Sequence, residues 1–238
     1  MPKSQSMQVY YNEKVKHSFV KRRNKKESQH KFDIHTHPTI KRRTVECYIN
    51  QRFNQVYQAN IHHFMPILLE VSLKESLQAT IGLTPGYFKH FYLEQYLLSS
   101  AESLLSELTQ QPIERHSIIE IGNLATSHDS SGLILFSLMT SLLNKAQYEW
   151  IIFTATDEVK RLLERLNITL IPISLAQQNV EQSHWGEYYK NNPQVMAADL
   201  KKIFSDNEKL LNQINRKYLD NMSNVYHQLK NFNLYPIR

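Results

Sequence analysis

A chain of 238 residues, 41% hydrophobic, with a formal net charge of +6 and one cysteine, is long enough to bury one α/β core with appendages. Cys47 alone excludes an intrachain disulfide and fits a reducing compartment; residues 7–20 are broken by Asn12, Glu13, Lys14, Lys16 and His17 and do not read as a secretion signal. The most apolar run, Leu133–Leu143, is about half of what a spanning helix needs, so a cytoplasmic protein is expected.

The charge is uneven. Residues 1–43 hold 12 Lys and Arg against 3 Asp and Glu, whereas the other 195 hold 16 against 19. This basic arm, with Lys21-Arg22-Arg23-Asn24-Lys25-Lys26, has few apolar residues and no sustained period. It is expected to be disordered and to offer weak, sequence-independent attraction to an anionic partner. A folded domain is expected over 44–198, followed by an amphipathic helix over 199–238.

Val45, Ile49, Phe53 and Val56, with Tyr48 and Tyr57, recur at helical spacing and predict a helix over Thr44–Asn60, which His62-His63-Phe64-Met65-Pro66 breaks. Ile67–Ser72 and Leu77–Leu83, separated by Lys74-Glu75-Ser76, predict a hairpin. Tyr87, Phe88, Phe91, Tyr92 and Tyr96 form an aromatic run suited to a core, with a groove wall as the alternative. A helix over Ala101–Leu108 follows. Further on, a strand at Trp150–Phe153, a helix at Asp157–Leu166 and a strand at Thr169–Ile173 alternate, which implies a parallel portion in an otherwise antiparallel sheet. Apolar residues from Met196 to Leu229 recur at helical spacing. The mixed charge of the polar face there favours packing on the domain or pairing with a second copy in a homodimer over lying on a membrane.

The segment Ser117–Leu143 carries the most chemistry. Ser117–Ala125 reads as a strand, Thr126–Gly132 as a polar loop and Leu133–Ala146 as a helix. A loop of small residues opening a helix leaves main-chain N–H groups unpaired at the positive end of the dipole, an arrangement that binds phosphate. Ser127, His128, Asp129, Ser130, Ser131, Gly132 and Leu133 are therefore candidate ligands for the pyrophosphate of an acyl-CoA. The loop has no dinucleotide or P-loop glycine pattern, and the alternative use of its Ser and Asp residues is to cap the helix. Among the eleven histidines, His35/His37 and His62/His63 lack the companions of a closed zinc site, and no metal is expected.

Several strings together resemble the thermostable hemolysin family of bacterial proteins. They are Arg43-Thr-Val-Glu46-Cys-Tyr-Ile, Phe64-Met-Pro66, Leu93-Glu-Gln-Tyr-Leu97, Ile119-Glu-Ile-Gly-Asn-Leu-Ala125, Phe153-Thr-Ala-Thr156 and Trp185-Gly-Glu-Tyr-Tyr189, spread over about Arg43–Asp199. That family is in turn similar to GNAT-type acyltransferases and acyl-homoserine-lactone synthases. The resemblance implies a GNAT-like acyl-CoA N-acyltransferase fold: an α/β architecture with a mixed, splayed central sheet flanked by helices. It implies a co-substrate that is an acyl-CoA or acyl-carrier-protein thioester, no tightly bound cofactor, and a small amine as acceptor; an acyl carrier protein would be the macromolecular partner.

On this reading Glu120 is the base that takes a proton from the amine, its alternative being a structural carboxylate that caps a backbone or pairs with Arg115. Asn123 would orient a carbonyl. It stands where lactone synthases carry Arg, and a neutral amide cannot pair with a carboxylate as Arg does. Glu94 and Gln95 would hold the acceptor on the opposite wall, with Tyr96 and Trp185 lining an acyl pocket. Two rival functions stand beside acyl transfer: a membrane-active, lytic protein, and an inactive binding module on the same scaffold.

Overall fold

The structure is a computed structural model that describes residues 30–177 and 184–218, together with Val225 and His227, the side chains of Asp129 and Arg165 excepted. Residues 1–29, the bulk of the basic arm, lie outside the described residues. One seven-stranded sheet organises the chain. Its spatial order is β1 (His30–His35), β2 (Ile67–Leu73), β3 (Ser76–Pro85), β4 (Ile118–Thr126), β5 (Trp150–Ala155), β7 (Gln194–Asp199), β6 (Ile171–Leu175). Only β4 and β5 run parallel; every other neighbouring pair is antiparallel. The mixed sheet expected from the alternating patterns is the one observed.

The two faces are covered by different means. On one lies α1 (Ile40–Tyr57), whose Val45, Ile49 and Phe53 fall at i, i+4 and i+8 and pack with Leu68, Ala125 and the buried rings of Trp185 and Tyr188. On the other lies α3 (Asp129–Lys145), with Leu135, Leu138, Met139, Leu142 and Leu143 fully buried against the sheet. Helix α2 (Ala101–Thr109) contributes Ala101 and Leu105 to a smaller cluster with Ile118, Ile152 and Val195, and α4 (Asp157–Arg165) packs on β5. The β2–β3 hairpin turns through Lys74 and Glu75, both at positive φ (51° and 63°), the pair of left-handed residues that a two-residue turn between twisted strands requires.

Three boundaries differ from the sequence expectation. Residues 30–43 are not arm: His30–His35 is an edge strand paired with β2, and α1 starts at Ile40, where Thr39 Oγ1 accepts the Arg42 N–H at 3.1 Å. An edge strand exposes one side, so its charged and polar residues resemble a tail. Second, Gln194–Asp199 is a strand and not the start of the helical segment. It sits between β5 and β6, so Val195, Met196, Ala197 and Ala198 are all buried and show no alternation. Third, the C-terminal helical segment is two helices, α5 (Leu200–Asp206) and α6 (Glu208–Tyr218). Their buried residues, Leu200, Ile203, Leu211, Ile214 and Tyr218, face the domain; Ile214 and Tyr218 join the cluster around α3, and the Tyr218 ring meets Phe32 of β1 edge-on at 5.8 Å. That apolar face is covered within the chain, so over 200–218 it is not the surface expected for a homodimer. Residues 219–238, Val225 and His227 apart, lie outside the described residues.

One side chain joins the first strand, α1 and the following loop. The Arg42 guanidinium donates to the carbonyls of His35 (2.9 Å), Pro66 (2.9 Å) and Met65 (2.8 Å), and its Nε to Glu46 Oε1 (2.7 Å). Each is a charge-assisted bond in a largely buried setting. Arg42→Met, which keeps the stem, should lower unfolding free energy in urea by about 3 kcal/mol, because three carbonyls lose their donor; a loss under about 1 kcal/mol would show that water replaces the guanidinium.

Candidate functional site

Strands β4 and β5 are paired over Ile118–Ile121 and Trp150–Phe153, and then part. Beyond that point β4 continues through Gly122–Thr126 and β5 through Thr154–Ala155, the latter still paired to β7 on its far side. The cause of the parting is visible in β4. Its register with β3 shifts by one residue between Thr80 and Gly82, so Asn123 and Leu124 both oppose Ile81, a β-bulge that bends and twists the strand. Asn123 takes the left-handed conformation there (φ 48°), one that Asn tolerates better than other non-glycine residues.

The Asn123 amide is committed at both ends. Its Oδ1 accepts the Met65 N–H at 2.7 Å, its Nδ2 donates to the His63 carbonyl at 3.3 Å, and its own carbonyl accepts from Thr80 Oγ1 at 3.3 Å. The side chain expected to orient a substrate carbonyl instead staples residues 63–65 across the bulge. Met65 then lies over two glycines: a Cβ on Gly122 would come within 2.3 Å of Met65 Cε, and one on Gly82 within 2.7 Å of Met65 Cγ.

A cavity of about 170 Å³ occupies the gap, comparable to one that holds a benzene-sized group. Glu120, Gly122, Asn123 and Leu124 of β4 face Phe153, Thr154 and Thr156 across it. Toward α3 and α4 the wall is apolar, with Leu133, Phe136, Val159 and Leu163. Toward α1 it is aromatic, with Tyr57, His63, Tyr92, Tyr96, Trp185 and Tyr188. The aromatic run thus divides, Phe91 entering the core while Tyr92 and Tyr96 face the cavity.

Glu120 is 2% exposed. Its Oε2 accepts the Tyr92 N–H at 2.8 Å and its Oε1 the Leu93 N–H at 2.9 Å, so it caps the 3-10 turn Tyr92–Tyr96 as well as lining the cavity. Burial pushes its carboxyl up to about 7, against the pull of those two donors and of Arg115.

Tyr96 and Trp185 also reach the cavity. The Tyr96 hydroxyl is hydrogen-bonded to that of Tyr189 at 2.7 Å, and the Trp185 Nε1–H is buried without an acceptor among the described residues. Glu94 and Gln95 do not line it. Glu94 is held by Arg115 through two bonds (2.6 and 3.0 Å), accepts the N–H groups of Phe91 and Ala101, and shares the guanidinium with Glu102. Burial works against its ionised form, but Arg115 and the main-chain donors hold its carboxyl below the usual range. Its carboxylate is engaged by the protein's own groups outside the cavity lining. Gln95 is exposed and donates to the Tyr92 carbonyl at 2.8 Å.

The expected phosphate cradle is smaller than the sequence suggested, because α3 begins four residues earlier, at Asp129. The Ser127 N–H goes to the Gln78 carbonyl (2.9 Å) and the His128 N–H to Thr126 Oγ1 (3.2 Å), while those of Ser131 and Gly132 go to the His128 carbonyl (3.0 and 3.3 Å). Leu133 lies inside the helix and reaches the cavity by its side chain. Only the N–H groups of Asp129 and Ser130 lie outside these bonds.

His63 was missed as a site residue. Its ring stacks on Tyr92 (centroids 4.2 Å apart, planes 20° apart) and lines the cavity, and burial lowers its imidazole, leaving it neutral at pH 7. The helix-breaking string His62–Pro66 marked a loop, but nothing local showed that Asn123 would draw that loop over the bulge.

A parallel strand pair opened by a bulge, with a helix rising from the end of the first strand, makes this a GNAT-like acyltransferase fold. The chain belongs to the thermostable hemolysin family, whose model matches residues 35–204. Among solved structures it is similar to FeeM, an N-acyl amino acid synthase from uncultured soil microbes, with a TM-score of 0.51 and 11% identity over 74% of this chain and 94% of that one. It is also similar to BjaI, a CoA-dependent acyl-homoserine lactone synthase, with a TM-score of 0.50 and 8% identity over 80% and 99%. At such identities the likeness speaks for the fold. No curated protein sequence matches.

The raised carboxyl of Glu120 has a stability consequence. Its folded value lies above that of an unfolded carboxyl, so the folded state holds the proton across the intervening window and stability falls as pH rises from 4 toward 8. Relative to Glu120→Gln, in which that titration is gone, the wild type should lose about 3 kcal/mol between those limits. Urea denaturation of both proteins at each pH measures it; parallel curves would mean that folding leaves the Glu120 carboxyl at its unfolded value.

Proposed function

We propose that this protein transfers an acyl group from a pantetheine thioester, carried on coenzyme A or on an acyl carrier protein, to a small amine. The observation that carries the reading is the parting of β4 and β5 beyond Ile121 and Phe153 with a cavity between them. Main-chain groups of Gly122–Thr126 on that side have no β5 partner, and an extended arm bearing amides is the chemistry that satisfies such an edge. The apolar wall of Phe136, Val159 and Leu163 suits an acyl group. The grip on a pyrophosphate rests on two N–H groups, so the arm and the acyl group contribute more of the binding than the nucleotide.

The amine nitrogen, freed of one proton, attacks the thioester carbonyl; the C–N bond forms, the C–S bond breaks, and the thiolate leaves with the second proton lost by nitrogen. Glu120 is the group in the cavity suited to take the first proton, since a carboxyl near 7 is poised at the operating pH. Main-chain N–H groups of the freed β4 segment are the candidates to stabilise the oxyanion. Asn123 acts by position, holding residues 63–65 over the site.

No helix among the described residues is long and apolar enough to cross a membrane, and the apolar face of α5 and α6 is packed internally, so the lytic reading lacks its instrument over those residues.

Purified full-length protein incubated with short-chain acyl-CoAs or acyl carrier proteins and a mixture of amines should release free thiol and form amides detectable by mass spectrometry. The rate should rise with pH through about 7, because the base acts deprotonated, and Glu120→Gln should lower it by at least about 100-fold. A Glu120→Gln enzyme retaining its rate would move the base elsewhere, with His63→Gln as the next variant. Prompt leakage of dye-loaded vesicles without any thioester would instead support the lytic reading.

A further inference from the structure

The cavity has an electrostatic character that the proposed function does not by itself require. Among the described residues lining it there is no Lys and no Arg; the one ionisable acid is Glu120 and the one imidazole is His63. Of the neutral polar groups, the Asn123 amide is committed to residues 63–65 and the Thr126 hydroxyl to the His128 carbonyl, whereas the buried Thr156 hydroxyl and Trp185 indole N–H have no partner among the described residues. Rings of Tyr92, Tyr96 and Trp185 line the same cavity as Glu120.

From this juxtaposition we infer that the acceptor is an amine that carries no carboxylate, admitted as its cation against Glu120 and the aromatic wall. The inference rests on the acyl-transfer reading and narrows its substrate class. An ammonium finds a counter-ion in Glu120 and the negative faces of aromatic rings, which attract cations within about 6 Å of their centroids. An α-carboxylate brought to the same place finds only neutral donors, the Thr156 hydroxyl and the Trp185 indole N–H among them, no cationic side chain in the lining, and a like charge in Glu120. Desolvating it unpaired costs several kcal/mol. His63 offers no rescue, since burial keeps it neutral at pH 7. The proton balance also closes: the ammonium gives one proton to the Glu120 carboxylate and the free amine attacks, and after the thiolate has taken the second proton the Glu120 carboxyl returns the first to solvent. The net products are one amide, one thiol and one proton.

The test uses pairs that differ only by the carboxylate: isobutylamine with valine, isoamylamine with leucine, and phenethylamine with phenylalanine. Calorimetry on the full-length wild type reads binding without turnover, and thiol release with butyryl-CoA reads turnover. The amine of each pair should bind and be acylated at least about 100-fold better than its amino acid, the scale set by an unpaired buried carboxylate. Below pH 7, amine binding should release protons, seen as a buffer-dependent enthalpy, as Glu120 ionises against the cation. Glu120→Gln should erase that proton release and weaken amine binding at least about tenfold; should this variant not fold, the buffer dependence of the wild type stands alone as the readout. Equal or better binding of the amino acids overturns the inference, as does failure to bind either member. Amine binding with the expected preference but no thiol release from any donor would refute the transferase reading while leaving the site's choice of ligand standing.

Discussion

The site depends on one extra residue in β4. An insertion at Asn123 puts two residues opposite Ile81, turns the strand and removes its later half from reach of β5. A bulge of this kind leaves backbone groups unpaired near the middle of a sheet, which is costly unless something else satisfies them. The protein answers on one side of the bulge with its own atoms: the Asn123 amide binds residues 63 and 65, and Arg42 holds the carbonyls of Met65 and Pro66 from behind. On the side facing β5 it leaves a cavity. The same distortion therefore both requires a rigid staple and creates the space that a ligand can enter.

The rigidity is layered. Gly82 and Gly122 have no Cβ because Met65 lies where one would go, so the loop sits close to the sheet. Glu120, two residues before the Gly122–Thr126 segment, is anchored in turn by the N–H groups of Tyr92 and Leu93, and the Tyr92 ring stacks on His63. Loop, turn and strand are thereby joined around the aromatic wall of the cavity. Glu94 supports this from outside. Its ion pair with Arg115 and its bond to the Ala101 N–H tie the turn to α2, which explains why two glutamates close in space have opposite characters, one held ionised by a guanidinium and one raised by burial.

Much of the fold was legible because strongly patterned elements declare themselves. The hairpin around Lys74 and Glu75, the helix bearing Val45, Ile49 and Phe53, and the strand–helix–strand alternation after Ser117 all follow from periodicity. What was hidden has physical reasons. Strand β7 is buried on both faces, so Val195–Ala198 shows neither a period of two nor a breaker before α5. Strand β1 is an edge and looks polar. The site was half legible: Glu120, Tyr96 and Trp185 do face the cavity, and the alternative of Glu120 as a backbone cap is realised along with that placement. Glu94 and Gln95 stand outside the lining although Tyr92 and Tyr96, close by in sequence, belong to it, a distinction that the local pattern does not carry. A phosphate loop over Ser127–Gly132 was overestimated because its small polar residues suit a loop and a first helical turn equally well, and here four of them begin the helix.

The whole chain and its cavity contrast in charge. The sequence is basic overall, yet the excess lies in residues 1–43, and the lining of the cavity contains no cationic side chain among the described residues. A site that relied on Coulomb attraction for an anionic nucleotide would place Arg or Lys at its mouth. Here two N–H groups of the first turn of α3 have no partner among the described residues, and the walls are aromatic, aliphatic and neutral polar, with Glu120 the one acid. In an apolar slot of this kind an unpaired anion meets the full cost of its desolvation, whereas a neutral group does not. The low dielectric that raises the Glu120 carboxyl is the same property that sets this cost, so the state of the one acid in the cavity and the penalty on a second anion beside it share one cause.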